Sequence, residues 1–364
     1  MFYASAMLLM AAHANAQPTR APDAARPIGS APGALATNRL RAATLDLPLA
    51  ERSYMLVNVP NDRTNELFEG QLALHFPIRS TIRASYDSAF QDRRAKWHVG
   101  WAGSFSMMSA LRMTRESSAP VRTPSYMPRA RLQWVGTRRD SAFTGPFAPL
   151  SDHDQWVVDA IVGHYSNGQD GCLFVGQTEN TDGDCAFAGA RPSVAELRVN
   201  RHDGSFSSHY VEGGAAWRHL AIDTAGFKDD SYVRSVWSAG LRYRNYTLLS
   251  GIGGGMTQEL QDLYGPHRIR AVGSYSRETN DTRKVPGRLW VEGFIEAMPG
   301  AAAQVGSVRV SMEVGRSFDA MQGTGLFARY YRGQDDYNLG FLNKLSVVQL
   351  GMVLGGEARI GFRN

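Results

Sequence analysis

His164 and Ser166 are a base and a nucleophile two residues apart, within the run Gly163-His164-Tyr165-Ser166-Asn167-Gly168. A serine hydroxyl attacks poorly until a neighbouring imidazole takes its proton, so such a pair is the minimum equipment for acyl transfer through a covalent intermediate. Both side chains must then project from one surface. The segment leading into the pair, Trp156-Val157-Val158-Asp159-Ala160-Ile161-Val162, reads as a strand. Strand alternation puts His164 and Ser166 on the face shared with Trp156, Val158, Ala160 and Val162, and Asp159, Gly163 and Tyr165 on the other. A catalytic pair on an apolar face is out of place in an aqueous enzyme. It fits a protein whose apolar face borders lipid, with lipid as the substrate.

A third group must hold the base in its useful tautomer. The adjoining candidate strand, Ser207-Ser208-His209-Tyr210-Val211-Glu212-Gly213-Gly214-Ala215-Ala216-Trp217, offers Ser207, His209, Val211, Ala215 and Trp217 on one side. Parity selects His209 rather than Ser208 as the partner of His164. The spacing alone is weak evidence, because His-x-Ser occurs widely and a histidine on an apolar face is usually structural.

The elements that must carry these residues are strands. Leu72, Leu74, Phe76 and Ile78 alternate with Gln71, Ala73 and His75, and Trp237, Ala239, Leu241 and Tyr243 alternate with Ser238, Gly240 and Arg242. Leu289, Val291 and Ile295 oppose Arg288, Glu292 and Glu296; Val308, Val310, Met312 and Val314 oppose Arg309, Ser311 and Glu313. A soluble sandwich turns its polar face outward, whereas a membrane barrel inverts the arrangement around a polar lumen. Alternation cannot say which side is out. Strand-like segments with no clear helix between them, and no apolar stretch after the leader long enough for a membrane helix, favour an all-β, antiparallel transmembrane β-barrel. Closure would also remove the exposed sheet edges.

The chain of 364 residues is 43% hydrophobic and 20% charged, with 37 glycines, which suits strands and tight turns. Its mean hydropathy of −0.30 excludes a helical membrane bundle. The net charge of +5 is mild, and no basic cluster interleaved with aromatics suggests a nucleic-acid partner. Residues 1–16 read as a signal peptide, largely apolar with the small-x-small site Ala14-Asn15-Ala16 although without a basic n-region. Residues 17–50, rich in Ala, Pro and Arg, read as a flexible segment, and 51–364 as the barrel domain. Cys172 and Cys185 are the only cysteines; in an exported chain they are expected to form a disulfide. No spacing suits zinc. Gly251-Ile252-Gly253-Gly254-Gly255 lacks the lysine and context of a phosphate loop and reads as a turn or thin-walled strand, and the absent Gly-x-Ser-x-Gly elbow argues against a soluble lipase fold.

Beyond these residues, the sequence resembles the outer membrane phospholipase A family, calcium-dependent barrel esterases of Gram-negative envelopes. His164-Tyr165-Ser166-Asn167-Gly168 is similar to the family's His-x-Ser-Asn-Gly motif. Glu116-Ser117-Ser118 with Pro120, Arg122, Tyr126 and Pro128 is similar to its Glu-Ser-Ser-Pro-x-Arg-x-x-x-Tyr-x-Pro stretch. Leu326-Phe327, Tyr331, Gly333 and Asp336-Tyr337-Asn338 resemble a segment before the last strand, and weaker similarity begins near Tyr54. The resemblance implies about twelve strands, an outer-membrane location, hydrolysis of the acyl esters of glycerophospholipids at the lipid-facing wall, and activity as a homodimer. It also implies Ca2+ at the subunit interface, where it helps to form the oxyanion hole. Carried over by position, the calcium ligands are Ser205, Gln169 (in place of an arginine whose main-chain carbonyl binds) and Ser118 from the partner subunit, an oxygen set suited to calcium.

Three features depart from the family pattern. His209 stands where the family has asparagine. The connection from Asp170 to about His202 is much longer and carries the cysteines; its acidic residues Glu179, Asp182 and Asp184 could bind calcium but read as a solvated patch. The sequence ends Gly361-Phe362-Arg363-Asn364 rather than on an aromatic residue. The first departure motivates an alternative expectation, a catalytically inactive barrel with a structural or pore role; a soluble periplasmic lipid-binding barrel is a weaker third.

Overall fold

The computed structural model describes residues 52–59, 66–82, 97–115, 121–138, 153–181, 183–223, 232–279, 287–318 and 324–354. The proposed leader, residues 1–16, the segment 17–50, Ser118, Asp182 and the C-terminal Gly361–Asn364 lie outside them. In chain order the strands are β1 (Ser53–Asn58), β2 (Glu66–Ser80), β3 (Trp97–Thr114), β4 (Ser125–Arg138), β5 (His153–Ser166), β6 (Gln177–Glu179), β7 (Cys185–Phe187), β8 (Ser207–Asp223) and β9 (Tyr232–Asn245). After helix α1 (Gln258–Tyr264) follow β10 (His267–Thr279), β11 (Gly287–Ala297), β12 (Val308–Phe318), β13 (Gly325–Gln334) and β14 (Lys344–Leu354). Twelve strands close into one antiparallel barrel in which β1 pairs with both β2 and β14, and β5 pairs directly with β8. The remaining two, β6 and β7, form a separate hairpin inside the β5–β8 connection.

The structure settles which face is out. Val158 is 48% exposed while its neighbour Asp159 is 2% exposed. Leu72, Leu74, Phe76, Ile78, Trp237, Leu241, Leu289, Ile295, Val308, Met312 and Val314 all lie exposed on the outer wall. Charge is collected inside. Arg112 reaches Glu66, Glu69 and Asp335, each at 2.7 Å; Arg242 bridges Asp159 at 3.0 Å and Glu212; Arg270 and Arg309 hold Glu296; Arg329 holds Glu313. Groups withdrawn from water in this way persist only when paired. An apolar exterior around a paired polar interior is the inverse of a soluble barrel and the arrangement of a transmembrane one. No helix among the described residues is long and apolar enough to cross a membrane.

On the outer wall, Trp134, Trp156, Trp217, Trp237 and Tyr275 occupy neighbouring positions on β4, β5, β8, β9 and β10. They form an aromatic belt of the kind that sits at a membrane interface. At the opposite end of these strands the connections fold inward. Phe174 and Phe206 from the β5–β8 connection meet Tyr246, Leu260, Leu263 and Tyr264 from around α1 and Leu339 and Phe341 from the β13–β14 turn. This buried cluster covers that end of the lumen.

One expectation needs correction. The segments between strands are not free of helix: α1 starts at Thr257, whose hydroxyl accepts from Leu260 N at 3.3 Å, and ends at Gly265. Seven residues are too few for a helical period to show in the sequence. The Asp170–His202 connection, for its part, holds more than its acidic residues. The Cys172–Cys185 disulfide is formed, the β6–β7 hairpin lies within it, and Phe174 and Leu197 are buried in the cluster. Glu179 and Asp184 are exposed, as expected.

Candidate active site

β5 and β8 bring the chemistry together through their register. Ser166 pairs with Ser207 and His164 with His209 across the two strands, and all four side chains take the outward parity of Trp156, Val158 and Val162. His164 Nδ1 lies 3.0 Å from His209 Nδ1, with ring centroids 4.6 Å apart. Ser166, His164 and His209 border one shallow depression of about 510 Å³, together with Gly168, Gln169, Ser205, Ser207, Gly253 and Gly254. Both members of the base–nucleophile pair are half-buried.

Asn167 locks the end of the strand. Its amide donates to Gly204 O at 2.7 Å, and its Oδ1 accepts from Phe206 N at 2.9 Å and Gln169 N at 3.3 Å. Its own N–H donates to Phe206 O at 3.1 Å. The chain leaving Ser166 is thus stapled to the chain entering Ser207. Gly168 follows with φ of +69°, a conformation that costs a residue with Cβ but not glycine; this turn places Gln169 on the rim of the depression. The Asn-Gly of the hexapeptide is therefore structural support for its serine.

Of the oxygen ligands expected for calcium, Gln169 and Ser205 border the same depression as Ser166, and Ser118 lies outside the described residues. Among the described residues no group of three or more His, Cys, Asp or Glu could hold a metal ion. The donors here are neutral hydroxyl, amide and carbonyl oxygens, which fit a hard cation that accepts oxygen ligands of several kinds.

Two participants were not singled out from sequence. Gly253 O lies 3.0 Å from His209 Nε2, and Ser207 Oγ donates to Gly254 O. The glycine run is a turn, as read, but one that folds back over the site. Main-chain carbonyls carry no side-chain signal, so only the glycine richness of the run could have drawn attention to it.

The height of the site follows from the strand. His164 stands eight positions from Trp156 on the same face of β5, about 26 Å along the strand and, at the usual barrel tilt, about 20 Å across the membrane. The site and the aromatic belt therefore stand apart by most of the height of an outer-membrane barrel's apolar band.

Fold and polarity define the class: an outer-membrane-type β-barrel. Among solved structures the chain is similar to outer membrane phospholipase A from Escherichia coli, at 12% identity and a TM-score of 0.40, covering 89% of this chain and 98% of that one. It is also similar to the Salmonella typhi outer membrane phospholipase dimer with bound calcium, at 13% identity and a TM-score of 0.38, with coverage of 89% and 98%. The β-domain of a Bordetella autotransporter follows at 10% identity and a TM-score of 0.28, covering 84% and 98%. These are resemblances of fold. No protein-family model and no curated protein matches the chain.

Proposed function

We propose that this barrel is an outer-membrane serine esterase that hydrolyses acyl ester bonds of glycerophospholipids, of phospholipase A type, dependent on calcium and active as a homodimer. The observation that carries the proposal is the shared outward face: nucleophile, base and a hydrogen-bond partner for the base stand together at the margin of the lipid-facing band. A lipid held in the bilayer brings its ester carbonyls to that level without leaving the membrane.

In this reading Ser166 Oγ attacks the ester carbonyl while His164 takes the hydroxyl proton. Collapse of the tetrahedral intermediate breaks the acyl–oxygen bond, and His164 returns the proton to the departing lysolipid alcohol. Water then attacks the acyl-serine with His164 as base, releasing the fatty acid and restoring Ser166. His209 accepts from His164 Nδ1–H and steadies the imidazolium formed in each half. The N–H groups of Asn167 and Gln169 are already engaged, so Gly168 N–H, in the wall of the depression, is the nearest donor in sequence for the developing oxyanion. Calcium, when bound, supplies positive charge for that same oxyanion, and Gln169 and Ser205, with Ser118 of the opposing subunit, are the residues to hold it.

The test is direct. Purified protein in detergent should release fatty acid from phospholipid in the presence of calcium, and Ser166→Ala should abolish release. Release that survives the alanine change would reject the assignment. His209 in an asparagine's place favours a second reading, a barrel that keeps the scaffold without catalysis. A serine-directed sulfonyl fluoride separates the two: an adduct at Ser166 supports the esterase, and its absence in folded protein supports the inert barrel. The paired lumen and the aromatic cluster over its end speak against an open pore.

A further inference from the structure

An asparagine beside the base always presents a carbonyl oxygen, but a neutral histidine presents either a lone pair or a proton, depending on its tautomer. Only one arrangement serves here. If His209 Nδ1 carried the proton, it would donate to His164 Nδ1, forcing the proton of His164 onto Nε2 and leaving no base for a serine. A chain with histidine at this position therefore needs something to choose the tautomer.

We infer that the main-chain carbonyl of Gly253 makes that choice and is a positioning group of the site, an inference that rests on the reading of Ser166 and His164 as nucleophile and base. A carbonyl oxygen only accepts. At 3.0 Å from His209 Nε2 it requires that nitrogen to hold the proton. His209 Nδ1 is then a bare lone pair, and at 3.0 Å it accepts from His164 Nδ1–H. His164 Nε2 is in turn unprotonated and free to take the proton of Ser166. Gly253 O, His209 and His164 thus form one directed chain that ends in the depression Ser166 borders, two imidazoles standing where a single imidazole and an amide would do.

The carbonyl is held in place by its own loop. Asn245 Oδ1 accepts from Thr247 N at 2.7 Å and Leu248 N at 3.0 Å. Successive turn bonds run from Ser250 N to Thr247 O, Ile252 N to Leu249 O and Gly255 N to Ile252 O. Met256 is buried at 1% exposure where the loop enters α1. Ser207 Oγ grips the next carbonyl, Gly254 O. Gly254 has φ of +79°, and a Cβ there would stand 3.2 Å from Ser207 Oγ and 3.7 Å from His209 Nε2. A side chain at Gly254 is therefore strained by its φ and crowds Ser207 Oγ, so it loosens the grip that holds this stretch of the loop.

Nitrogen-15 spectra of histidine-labelled protein in detergent micelles read the tautomers without any turnover, with the two rings assigned from His164→Gln and His209→Asn. The expected result is His209 protonated at Nε2 and His164 at Nδ1. Gly254→Ala should leave His209 in mixed tautomers and lower kcat in proportion to the productive fraction, about 2-fold at an even mixture, with KM little changed. Gly251→Ala, in the same loop but with nothing within 4 Å of its added Cβ, should alter neither. Should Gly254→Ala fail to fold, Ser207→Ala removes the second grip and should move the spectrum in the same direction. A wild-type His209 protonated at Nδ1, or tautomers untouched while kcat falls in Gly254→Ala, overturns the inference. Expected tautomers in a protein whose Ser166 neither turns over nor labels would uphold the relay and reject the esterase.

Discussion

Replacing His209 by alanine removes one hydrogen bond, and its size can be worked out beforehand. In the relay inferred above, the 3.0 Å contact of the resting site joins a neutral donor ring to a neutral acceptor ring. In the transition state His164 is an imidazolium, and the bond becomes one to a charged group, worth about 1.5–3 kcal/mol. Only the gain over the neutral bond of the resting site, roughly 1–1.5 kcal/mol, bears on kcat, which at about 1.4 kcal/mol per factor of ten should fall about 5- to 12-fold. KM should hardly move, because His209 acts through His164 rather than on substrate. His209→Asn restores an acceptor and should stay within about 2-fold of the parent, since an amide oxygen offers a comparable bond. The assay is the initial rate of fatty-acid release from mixed micelles at saturating calcium. An alanine variant at the parental rate, or an asparagine variant as slow as alanine, would refute the orienting role. A loss as complete as that of Ser166→Ala would show that His209 does more than orient.

Other expected outcomes concern the scaffold. Ala160 lies exposed on the outer wall between the site and the aromatic belt, so Ala160→Arg should cost about 2–4 kcal/mol in denaturant unfolding from vesicles; an unchanged midpoint would mean that this wall does not meet lipid. Arg112 is buried against three carboxylates, and Arg112→Met, by leaving them without their cation, should cost about 3–5 kcal/mol in the same measurement. Removing the Cys172–Cys185 bond by paired serine substitutions should cost the β5–β8 connection roughly 3 kcal/mol. The expected readout is proteolytic nicking between residues 170 and 204 while the barrel stays intact; equal resistance would show that packing alone holds the connection.

Much of this was written in local order. Alternation along Trp156–Ser166 and Ser207–Trp217 put His164, Ser166 and His209 on one parity, because the side chains of a strand can point only two ways. The same rule gave the strands, and the paucity of cysteine gave the disulfide. Parity does not assign inside and outside, however. That required the closed sheet, in which Asp159, Glu212 and Arg242 meet around a shared lumen and Val158 and Leu241 cannot. Register was equally invisible: that His164 faces His209, rather than a residue two places away, depends on how β5 meets β8 across a connection of some forty residues, stapled by Asn167. The Gly253 carbonyl lay furthest from the sequence. A main-chain oxygen is the same at every residue, so where it points is decided by the fold of its loop, and with it the tautomer of a histidine forty-four residues away.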